Sequence, residues 1–372
     1  MRKHKALVPK LQDCVVVGGS FSGSVTAKHL AAKGVGVTVL EEHSLPGKFH
    51  KCSGIFSKKG LAATGVNYKR TVLNEVRGAV FHSGGRTARV ERSQTVALVC
   101  NRQALDEQAA VEAKDAGAVF DFSRHASSLS QSGDAVSVTA SGNDYSARVL
   151  AGCDGVQSAV ARNAGFPVMR PQDFVLAFEA EYSGCGGLDR RLVDVFFEPC
   201  FKGFFGWVIP VNEDTARIGF ATSDYASLQK TKREFFEFPR LKEVLGSKCV
   251  ACREFSHLIP VRLRARTQLG RVLLVGDAAG QVKATTGGGI VFNAQAARIA
   301  AESAKRFLDG GELDYEGAWR KELGKPLEAH RALRKVYNFL PSAVFPPALA
   351  VASSLGLTRL VSRFGDMDYV VG

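Results

Sequence analysis

A short segment near the N-terminus gathers residue types that can transfer a proton. Cys52 is followed by Ser53 and Gly54, and His50 and Lys51 precede it. A thiol becomes more acidic beside cations, so His50 and Lys51 can favour the Cys52 thiolate. Cys52 can equally be a small buried hydrophobic residue, as free cysteines often are. The segment therefore predicts either a proton donor or a residue that only shapes a pocket.

A glycine-rich turn at the start of the chain can approach a phosphate group. Its candidate cofactor-binding residues are Gly18, Gly19, Ser20 and Gly23. Cys14–Val17 predicts a strand before the turn and Val35–Leu40 a second strand, with Glu41 at its end. In dinucleotide sites such glycines allow close phosphate approach, and an acid about twenty residues later holds ribose hydroxyls. Ser20 departs from this pattern, because it places a side chain where a glycine is usual.

A second glycine cluster follows a predicted buried strand at Arg271–Val275, which Gly276 ends. Asp277 comes next, where a carboxylate can accept hydrogen bonds from sugar-like hydroxyls. The residues that would let the backbone approach a flat or anionic ligand are Gly287, Gly288 and Gly289. A helix is predicted to begin near Ile290, and its N-terminus would favour an anion.

Three stretches occur in the order typical of flavoproteins similar to p-hydroxybenzoate hydroxylase. They are DCVVVGGSFSG at Asp13–Gly23, AGCDGVQSAVAR around Asp154–Gly155, and Gly276–Asp277 within GDAAGQVKATTGGGI. Within that group, the last stretch and GKFHKCSGIFS at Gly47–Ser57 resemble the geranylgeranyl reductase family. The resemblance extends to a helix ending near Leu308, and it implies FAD as the cofactor.

The resemblance also implies roles for particular residues. The catalytic loop would be Cys52-Ser53-Gly54, and Arg102 would approach the FAD phosphates. Taken alone, Arg102 also fits a solvated residue at a helix start. Asp154 would lie in a flavin-contact turn, with Glu41 at the adenosine ribose and Asp277 near the ribityl chain.

An aromatic stretch, FFGWVIP at Phe204–Pro210, resembles a pattern of geranylgeranyl reductases and of flavin halogenases. The candidate substrate-binding residues are Lys51, Phe205, Trp207 and Pro210. A strand with aromatic residues that ends at a proline would form a rigid apolar wall suited to an isoprenoid chain. A core strand with a packed Trp207 is the alternative.

Together with the resemblance, which implies the FAD-binding domain, the strand and helix patterns predict an α/β protein with a Rossmann-like FAD-binding domain, an inserted antiparallel sheet and a C-terminal helical region. The discontinuous FAD-binding domain is predicted to comprise residues 1–70, 96–168 and 265–310. The substrate domain comprises 71–95 and 169–264, with its sheet over the reactive face of the flavin. Residues 311–372 form the helical region.

The composition limits the partners of this chain. Its 372 residues carry a net charge of +13, which fits an anionic membrane surface or a polyprenyl phosphate. No zinc-finger spacing or RNA-binding signature accompanies the charge, so we do not expect nucleic acid binding. The scattered cysteines favour a reducing compartment. The basic N-terminus has no apolar core typical of a signal peptide, so a cytoplasmic protein is expected.

Two further segments leave alternatives open. Cys249 and Cys252 have the spacing of a redox or metal pair, but neither a second ligand pair nor a thioredoxin-like unit is evident. Phe339–Leu357 is uncharged and close to the length of a membrane span. Its prolines argue for a segment lying on a membrane surface or packed over a hydrophobic tunnel.

The resemblance implies an FAD-dependent reductase that saturates double bonds of geranylgeranyl chains in lipids or their precursors. The cofactor supplies the hydride, and the Cys52 loop supplies the proton path. Ferredoxin or NAD(P)H is the expected electron donor, and a peripheral membrane contact is expected. The alternatives are a flavin-dependent monooxygenase or halogenase, and a membrane-associated electron-transfer flavoprotein.

Overall fold

The computed structural model describes residues 11–49, 51–340, 344–347 and 368. The strands are β1 Leu11–Val17, β2 Val37–Glu41, β3 Ile55–Ser57, β4 Val72–Val76, β5 Gly78–Ser83, β6 Arg86–Glu91, β7 Ala97–Cys100, β8 Val119–Phe122, β9 Ala126–Ser132, β10 Ala135–Ala140, β11 Asn143–Gly152, β12 Phe174–Ser183, β13 Leu192–Phe196, β14 Gly206–Pro210, β15 Ala216–Thr222, β16 Val250–Pro260, β17 Gln268–Leu269 and β18 Val272–Leu274. The helices are α1 Phe21–Ala31, α2 Lys58–Ala63, α3 Arg102–Asp115, α4 Ala159–Asn163, α5 Leu228–Phe236, α6 Pro239–Leu245, α7 Ile290–Leu308 and α8 Tyr315–Phe339.

The first sheet has eight strands, and its parallel centre runs in the order β18-β11-β1-β2-β8. The valines of β1 are buried, as expected for a central strand covered on both faces. On one face α1 packs against α3 and α7. Residues of α4 and of the β9–β10 hairpin join the hydrophobic cluster on the other face. The carboxyl end of β1 thus opens into the glycine turn before α1, the usual ligand-binding edge of such a sheet.

The second sheet has seven strands in the order β16-β12-β15-β14-β13-β5-β6. All neighbours are antiparallel except β13 and β5. One face buries phenylalanines against α5 and α6. The other face meets the Cys52 loop and the glycine-rich segment before α7, because neighbouring residues on a strand point to opposite faces.

A small antiparallel sheet, β3-β7-β4, connects the two larger sheets. β3 directly follows the Cys52 loop, and β7 leads into α3. Asn101 caps α3 by accepting a hydrogen bond from the Ala104 amide at 3.1 Å. The predicted α/β fold class is confirmed. The predicted domain boundaries stay a prediction.

The C-terminal part begins with the long helix α8, which packs on α7. The segment Phe339–Leu357, expected either to lie on a membrane surface or to pack over a hydrophobic tunnel, is described only at residues 339–340 and 344–347; its other residues lie outside the described part of the chain. Within the described residues, no helix is both long enough and apolar enough to span a membrane.

Candidate active site

The first glycine turn is shaped by very close backbone packing. Gly18 has a φ of +96°, and a Cβ there would lie 2.5 Å from the Cys153 carbonyl oxygen. A Cβ on Gly23 would lie 1.7 Å from the Gly18 carbonyl oxygen. Both positions therefore require glycine, so α1 can begin directly against the end of β1.

Glu41 closes this turn from the end of β2. Its side chain is buried and accepts a hydrogen bond from the Gly19 amide at 2.7 Å. The other carboxylate oxygen accepts from the His43 amide at 2.9 Å. A carboxylate has further lone pairs for hydroxyl donors. Glu41 is thus held in place where the sequence predicts ribose recognition.

Ser20, the departure from the glycine pattern, turns its hydroxyl toward α3. It donates to Asp106 Oδ2 at 2.6 Å, and Arg102 Nε donates to Asp106 Oδ1 at 2.9 Å. Burial lowers the pKa of Arg102, but Asp106 and Cys52 outweigh this effect and raise it. The sequence reasoning missed Asp106, whose position one helical turn after Arg102 was the available signal.

The second glycine cluster surrounds Asp277. Gly276 has a φ of +72°, and its amide donates to Gln281 Oε1 at 2.8 Å. Asn293 Nδ2 of α7 donates to Asp277 Oδ1 at 3.1 Å. A Cβ on Gly289 would lie 3.1 Å from both atoms of that bond. Gly289 therefore lets the start of α7 lie against Asp277.

The buried Asn293 Oδ1 has no hydrogen-bond partner within the described residues. A buried acceptor without a donor is costly, and a hydroxyl-rich ligand beside Asp277 would supply one. This orphaned atom and the two glycine turns fit FAD, whose phosphates and ribityl hydroxyls require close backbone and hydrogen-bond acceptors.

The segment between Asp277 and the Gly287–Gly289 turn is anchored by a buried ion pair. Lys283 Nζ lies 2.8 Å from Asp368 Oδ1, and the Ser57 hydroxyl donates to the same carboxylate. Gly287 has a φ of +72°, and a Cβ there would lie 2.8 Å from the Ile259 side chain of β16; a Cβ on Gly288 would lie 2.8 Å from the Lys283 side chain. The predicted glycine turn thus lies close both to β16 of the second sheet and to Asp277, which follows β18 of the first sheet.

The Cys52 loop is held by two charged residues of the second sheet. The Ser53 hydroxyl donates to Glu179 Oε2, which also accepts from Trp207 Nε1 at 2.8 Å. Arg217 Nη1 donates to the Ser53 carbonyl at 2.8 Å and to the Cys100 carbonyl at 3.1 Å. Sequence reasoning found Ser53 and Trp207 but missed their shared partner.

Gly54 allows this attachment. It has a φ of +68°, and a Cβ there would lie 2.4 Å from Arg217 Nη1. The Gly54 amide donates to Cys52 Sγ at 3.4 Å. The loop therefore presents the thiol with a backbone donor, and the Arg102 guanidinium is close enough to interact with it electrostatically. His50 lies outside the described residues.

Burial strongly affects the titratable groups on this face. It raises the pKa of Glu179, while hydrogen bonds from Ser53 and Trp207 act in the opposite direction. Burial, with a smaller effect of Lys51, lowers the pKa of His257 to about 4. Glu179 can thus hold a proton more readily than an ordinary glutamate, whereas His257 is neutral at pH 7.

The predicted substrate residues are only partly brought together. Phe205 and Trp207 lie with their ring centroids 6.0 Å apart, and Ile209 belongs to the same cluster. Pro210 follows Ile209 on β14, so its side chain points to the opposite face. Its proposed substrate contact stays a prediction.

The Asp154 carboxylate forms hydrogen bonds with residues at the start of α4. Its carboxylate accepts from the Ser158 hydroxyl at 2.6 Å and from the Val160 amide at 2.9 Å, and burial raises its pKa. Its Cα would lie 3.0 Å from a Cβ on Gly18. Asp154 therefore supports the glycine turn, and its contact with the cofactor stays a prediction.

Cys249 and Cys252, considered above as a redox or metal pair, have different partners in the structure. Cys249 Sγ lies 3.1 Å from Cys185 Sγ, whereas Cys252 Sγ donates to the Ser183 hydroxyl oxygen at 3.3 Å. Cys252 is exposed at a bulge in the pairing of β16 with β12, so the two thiols have different partners. No group of residues able to hold a metal ion is found in the described part of the chain.

Comparison with known proteins agrees with this site. A family model described as an FAD binding domain matches residues 12–302. Digeranylgeranylglycerophospholipid reductase 2 of Methanothermobacter thermautotrophicus is 32% identical over 347 residues, which cover 88% of this chain and 88% of that protein. The digeranylgeranylglycerophospholipid reductase of Methanothrix thermoacetophila is 29% identical, with 87% of each chain covered.

Solved structures share the fold over nearly the whole chain. A geranylgeranyl bacteriochlorophyll reductase-like protein of Thermoplasma acidophilum has a TM-score of 0.85 at 20% identity, covering 93% of this chain and 92% of that one. The flavin-dependent brominase Bmp2 has a TM-score of 0.78 at 14% identity, covering 95% and 93%. The family matches confirm the predicted resemblance and the FAD cofactor. The chain therefore belongs to the digeranylgeranylglycerophospholipid reductase family of FAD-dependent oxidoreductases.

Proposed function

We propose that this protein reduces carbon–carbon double bonds of geranylgeranyl chains carried by a lipid or a polyprenyl diphosphate. The observation that carries the proposal is the attachment of the Cys52 loop to Glu179 and Arg217 of the second sheet. These contacts bring the thiol loop next to a buried carboxyl and an aromatic side chain, which supports the proposal. The names of the relatives support the same class of substrate.

An isoprenoid double bond has no carbonyl group to withdraw electrons. Hydride addition to one carbon therefore needs a proton for the other carbon at nearly the same time. FAD, when reduced and bound, supplies the hydride. The protein must orient the chain, exclude water and deliver the proton.

Cys52 is suited to deliver that proton. The S–H bond would break as the new C–H bond forms, leaving a thiolate beside the Arg102 guanidinium and the Gly54 amide. Both groups stabilise a thiolate. Because burial raises the pKa of Glu179, this carboxyl can hold a proton that returns to Cys52 through the Ser53 hydroxyl or water.

The apolar wall explains substrate preference in this proposal. Trp207 is held in one orientation by its bond to Glu179, and Phe205 packs against it. Rigid aromatic surfaces bind an isoprenoid chain without a polar cost. Lys51, which is exposed at the loop, would lie toward an anionic end of the substrate.

An aromatic hydroxylase or halogenase on the same fold gives Cys52 no role. The likeness to the brominase is a likeness of fold alone at 14% identity. The reductase proposal includes an external electron donor, ferredoxin or NAD(P)H, and a peripheral membrane contact where the substrate is a lipid.

The deciding experiment is anaerobic. Purified FAD-loaded protein is reduced with dithionite and mixed with geranylgeranyl diphosphate or a geranylgeranyl lipid. Flavin reoxidation without oxygen, with product mass rising by two hydrogens per step, is the expected result. A flavin that stays reduced until oxygen is admitted would contradict the proposal and favour a monooxygenase or halogenase.

An Asp277→Ala arm tests the cofactor cradle independently of turnover. We expect this variant to lose FAD, because Asp277 and the orphaned Asn293 acceptor would no longer hold the ribityl chain. Bound flavin is measured by its visible absorbance after gel filtration. An unchanged flavin content would overturn the assignment of Asp277.

A further inference from the structure

A basic cleft of about 750 Å³ lies between the C-terminal half of α8 and the end of β16. We call it the basic cleft, and its cations are Arg262, Arg331, Arg334 and Lys335. Among its lining residues in the described part of the chain, Asp224 is the only acid. The cleft is thus positive in charge and large enough for a small headgroup.

Several of these charges already have partners. The ion pairs are Asp224 with Lys202 at 2.5 Å, Arg331 with Glu328 at 2.9 Å and Arg262 with Asp173 at 3.3 Å. Lys335 is exposed, and within the described residues neither it nor Arg334 forms an ion pair. The surplus charge of the cleft therefore comes from Arg334 and Lys335.

Arg334 is unusual because it is buried and has no carboxylate partner among the residues that the structure describes. Only 8% of it is exposed, and its Nη1 donates to the Ala284 carbonyl at 3.2 Å. Burial lowers its pKa to about 10. Removing a guanidinium from water is costly unless an anion compensates for it. An anion in the cleft would supply that compensation.

The cleft is connected to the active site through Arg334. Ala284 belongs to the segment between Asp277 and the Gly287–Gly289 turn, and the Arg334 guanidinium lies 5.5 Å from the Phe204 ring centroid. Phe204 stacks on Phe205 at 4.5 Å. A row of packed aromatic side chains thus connects the basic cleft with Trp207, next to the Cys52 loop.

We propose that the basic cleft binds the phosphate group of an isoprenoid substrate whose apolar chain extends toward Phe205 and Trp207. Guanidinium and ammonium groups match phosphate oxygens in charge and hydrogen-bond geometry. This inference rests on the proposed function for its isoprenoid chain, but not for its anion. The phosphate can belong to a soluble polyprenyl diphosphate or to a membrane lipid.

The first test measures binding alone. FAD-loaded wild-type protein, the Arg262→Ala/Lys335→Ala double variant and Lys325→Ala are titrated with inorganic pyrophosphate by calorimetry. Lys325 is a matched control, since it is an exposed lysine of α8 outside the cleft. We expect the double variant to bind about tenfold more weakly and the control to stay within about twofold of wild type. Equal binding by all three proteins, or no binding by wild type, would overturn the inference.

The second test uses turnover with paired substrates. For geranylgeranyl diphosphate, the double variant should raise KM about tenfold with little change in kcat. For geranylgeraniol, which lacks the phosphates, KM should be the same in all three proteins. An equal rise for both substrates would assign the residues a structural role. Failure to reduce either substrate would contradict the proposed function, while the calorimetry would still decide the anion site.

The third test separates the two phosphate sources. Flotation with phosphatidylglycerol vesicles is compared with flotation with phosphatidylcholine vesicles. Binding to the anionic vesicles that falls in the double variant but not in Lys325→Ala assigns the cleft to a lipid phosphate. Pyrophosphate binding without such flotation assigns it to a soluble diphosphate. An equal loss of flotation in Lys325→Ala would indicate general surface charge and contradict a lipid site in the cleft.

Discussion

The two faces of the second sheet are built by alternate residues of the same strands, yet they differ in kind. Along β12, Phe178 and Ala180 face α5 and α6, whereas Glu179 and Glu181 face the active site. The period of two along a strand separates them completely. A single strand thus contributes to stability on one side and to chemistry on the other.

The face under α5 and α6 is stabilised by packing that many residues share. The rings of Phe201, Phe220 and Phe235 lie with centroids 5.1 to 5.9 Å apart. On the active-site face, by contrast, each buried polar group depends on a few partners, as Glu179 depends on Ser53 and Trp207. Substitutions on the two faces should therefore fail in different ways.

The largest effect on chemistry should come from Cys52→Ala. Loss of a positioned acid should slow anaerobic flavin reoxidation by prenyl substrate about 10²- to 10⁴-fold, with FAD retained. Stopped-flow absorbance measures the rate. Cys252→Ala, an exposed thiol elsewhere, is the control and should leave the rate unchanged. Full activity of Cys52→Ala would reduce Cys52 to a packing role.

Substitutions on the face under α5 and α6 should lower the free energy of unfolding without changing the chemistry. Phe220→Ala removes a fully buried ring, and we expect the free energy of unfolding to fall by about 3–5 kcal/mol. Urea unfolding at pH 7 measures this loss, while flavin content per folded molecule stays constant. The exposed Val119→Ala should change stability by less than about 0.5 kcal/mol. A small loss in Phe220→Ala would show that this face can repack.

His257 should make the active-site face sensitive to acid. Its pKa is lowered from 6.5 to about 4 in the folded protein, so it contributes stability above pH 6.5 that is lost as the pH falls through 4. The loss amounts to about 3 kcal/mol. His257→Gln should remove this part of the pH dependence of unfolding, and the exposed His125→Gln should not. Identical profiles for wild type and His257→Gln would refute the assignment.

The smallest effect should come from Trp207→Phe, which removes one donor to Glu179. We expect a loss of about 1–2 kcal/mol at pH 7. Burial raises the pKa of Glu179, so its contribution to the free energy of unfolding is lost as the pH rises. Without the Trp207 donor the pKa should rise further, and the loss of stability with pH should become larger. Urea unfolding between pH 5 and about 8 would measure it.

Trp319→Phe is a matched control for that experiment. Trp319 is also buried, but its Nε1 donates to the neutral hydroxyl of Thr267 at 2.7 Å. Its loss in unfolding free energy should not vary with pH. Parallel curves for the two variants would mean that Glu179 does not titrate in this range.

The sequence predicted what depends on local order in the chain. The glycine turns at Gly18 and Gly276, the strands before them and α7 all follow from turn chemistry and short apolar runs. Such features need only neighbours in sequence, so they can be recognised without a structure.

The missed residues depend on partners far along the chain. Glu179 and Arg217 meet Ser53 across 126 and 164 residues. A charged residue inside an apolar strand is a signal that it is buried with a partner, but it does not reveal the partner. The same limit applies to Cys249, whose nearest thiol is Cys185 rather than the Cys252 that its spacing favours.

The order of strands in the first sheet has a consequence for how the chain folds. β11 pairs with β1 on one side and with β18 on the other, and strands β12 to β16 of the second sheet lie between β11 and β18 in sequence. Such non-local pairing slows folding, since long loops must close before the strands gain their contacts. Until Val272–Leu274 has been synthesised, this edge of β11 lacks its parallel neighbour and can pair with another chain. Fragments that end before β18 should therefore aggregate, and chaperone capture during translation should be greatest in that interval.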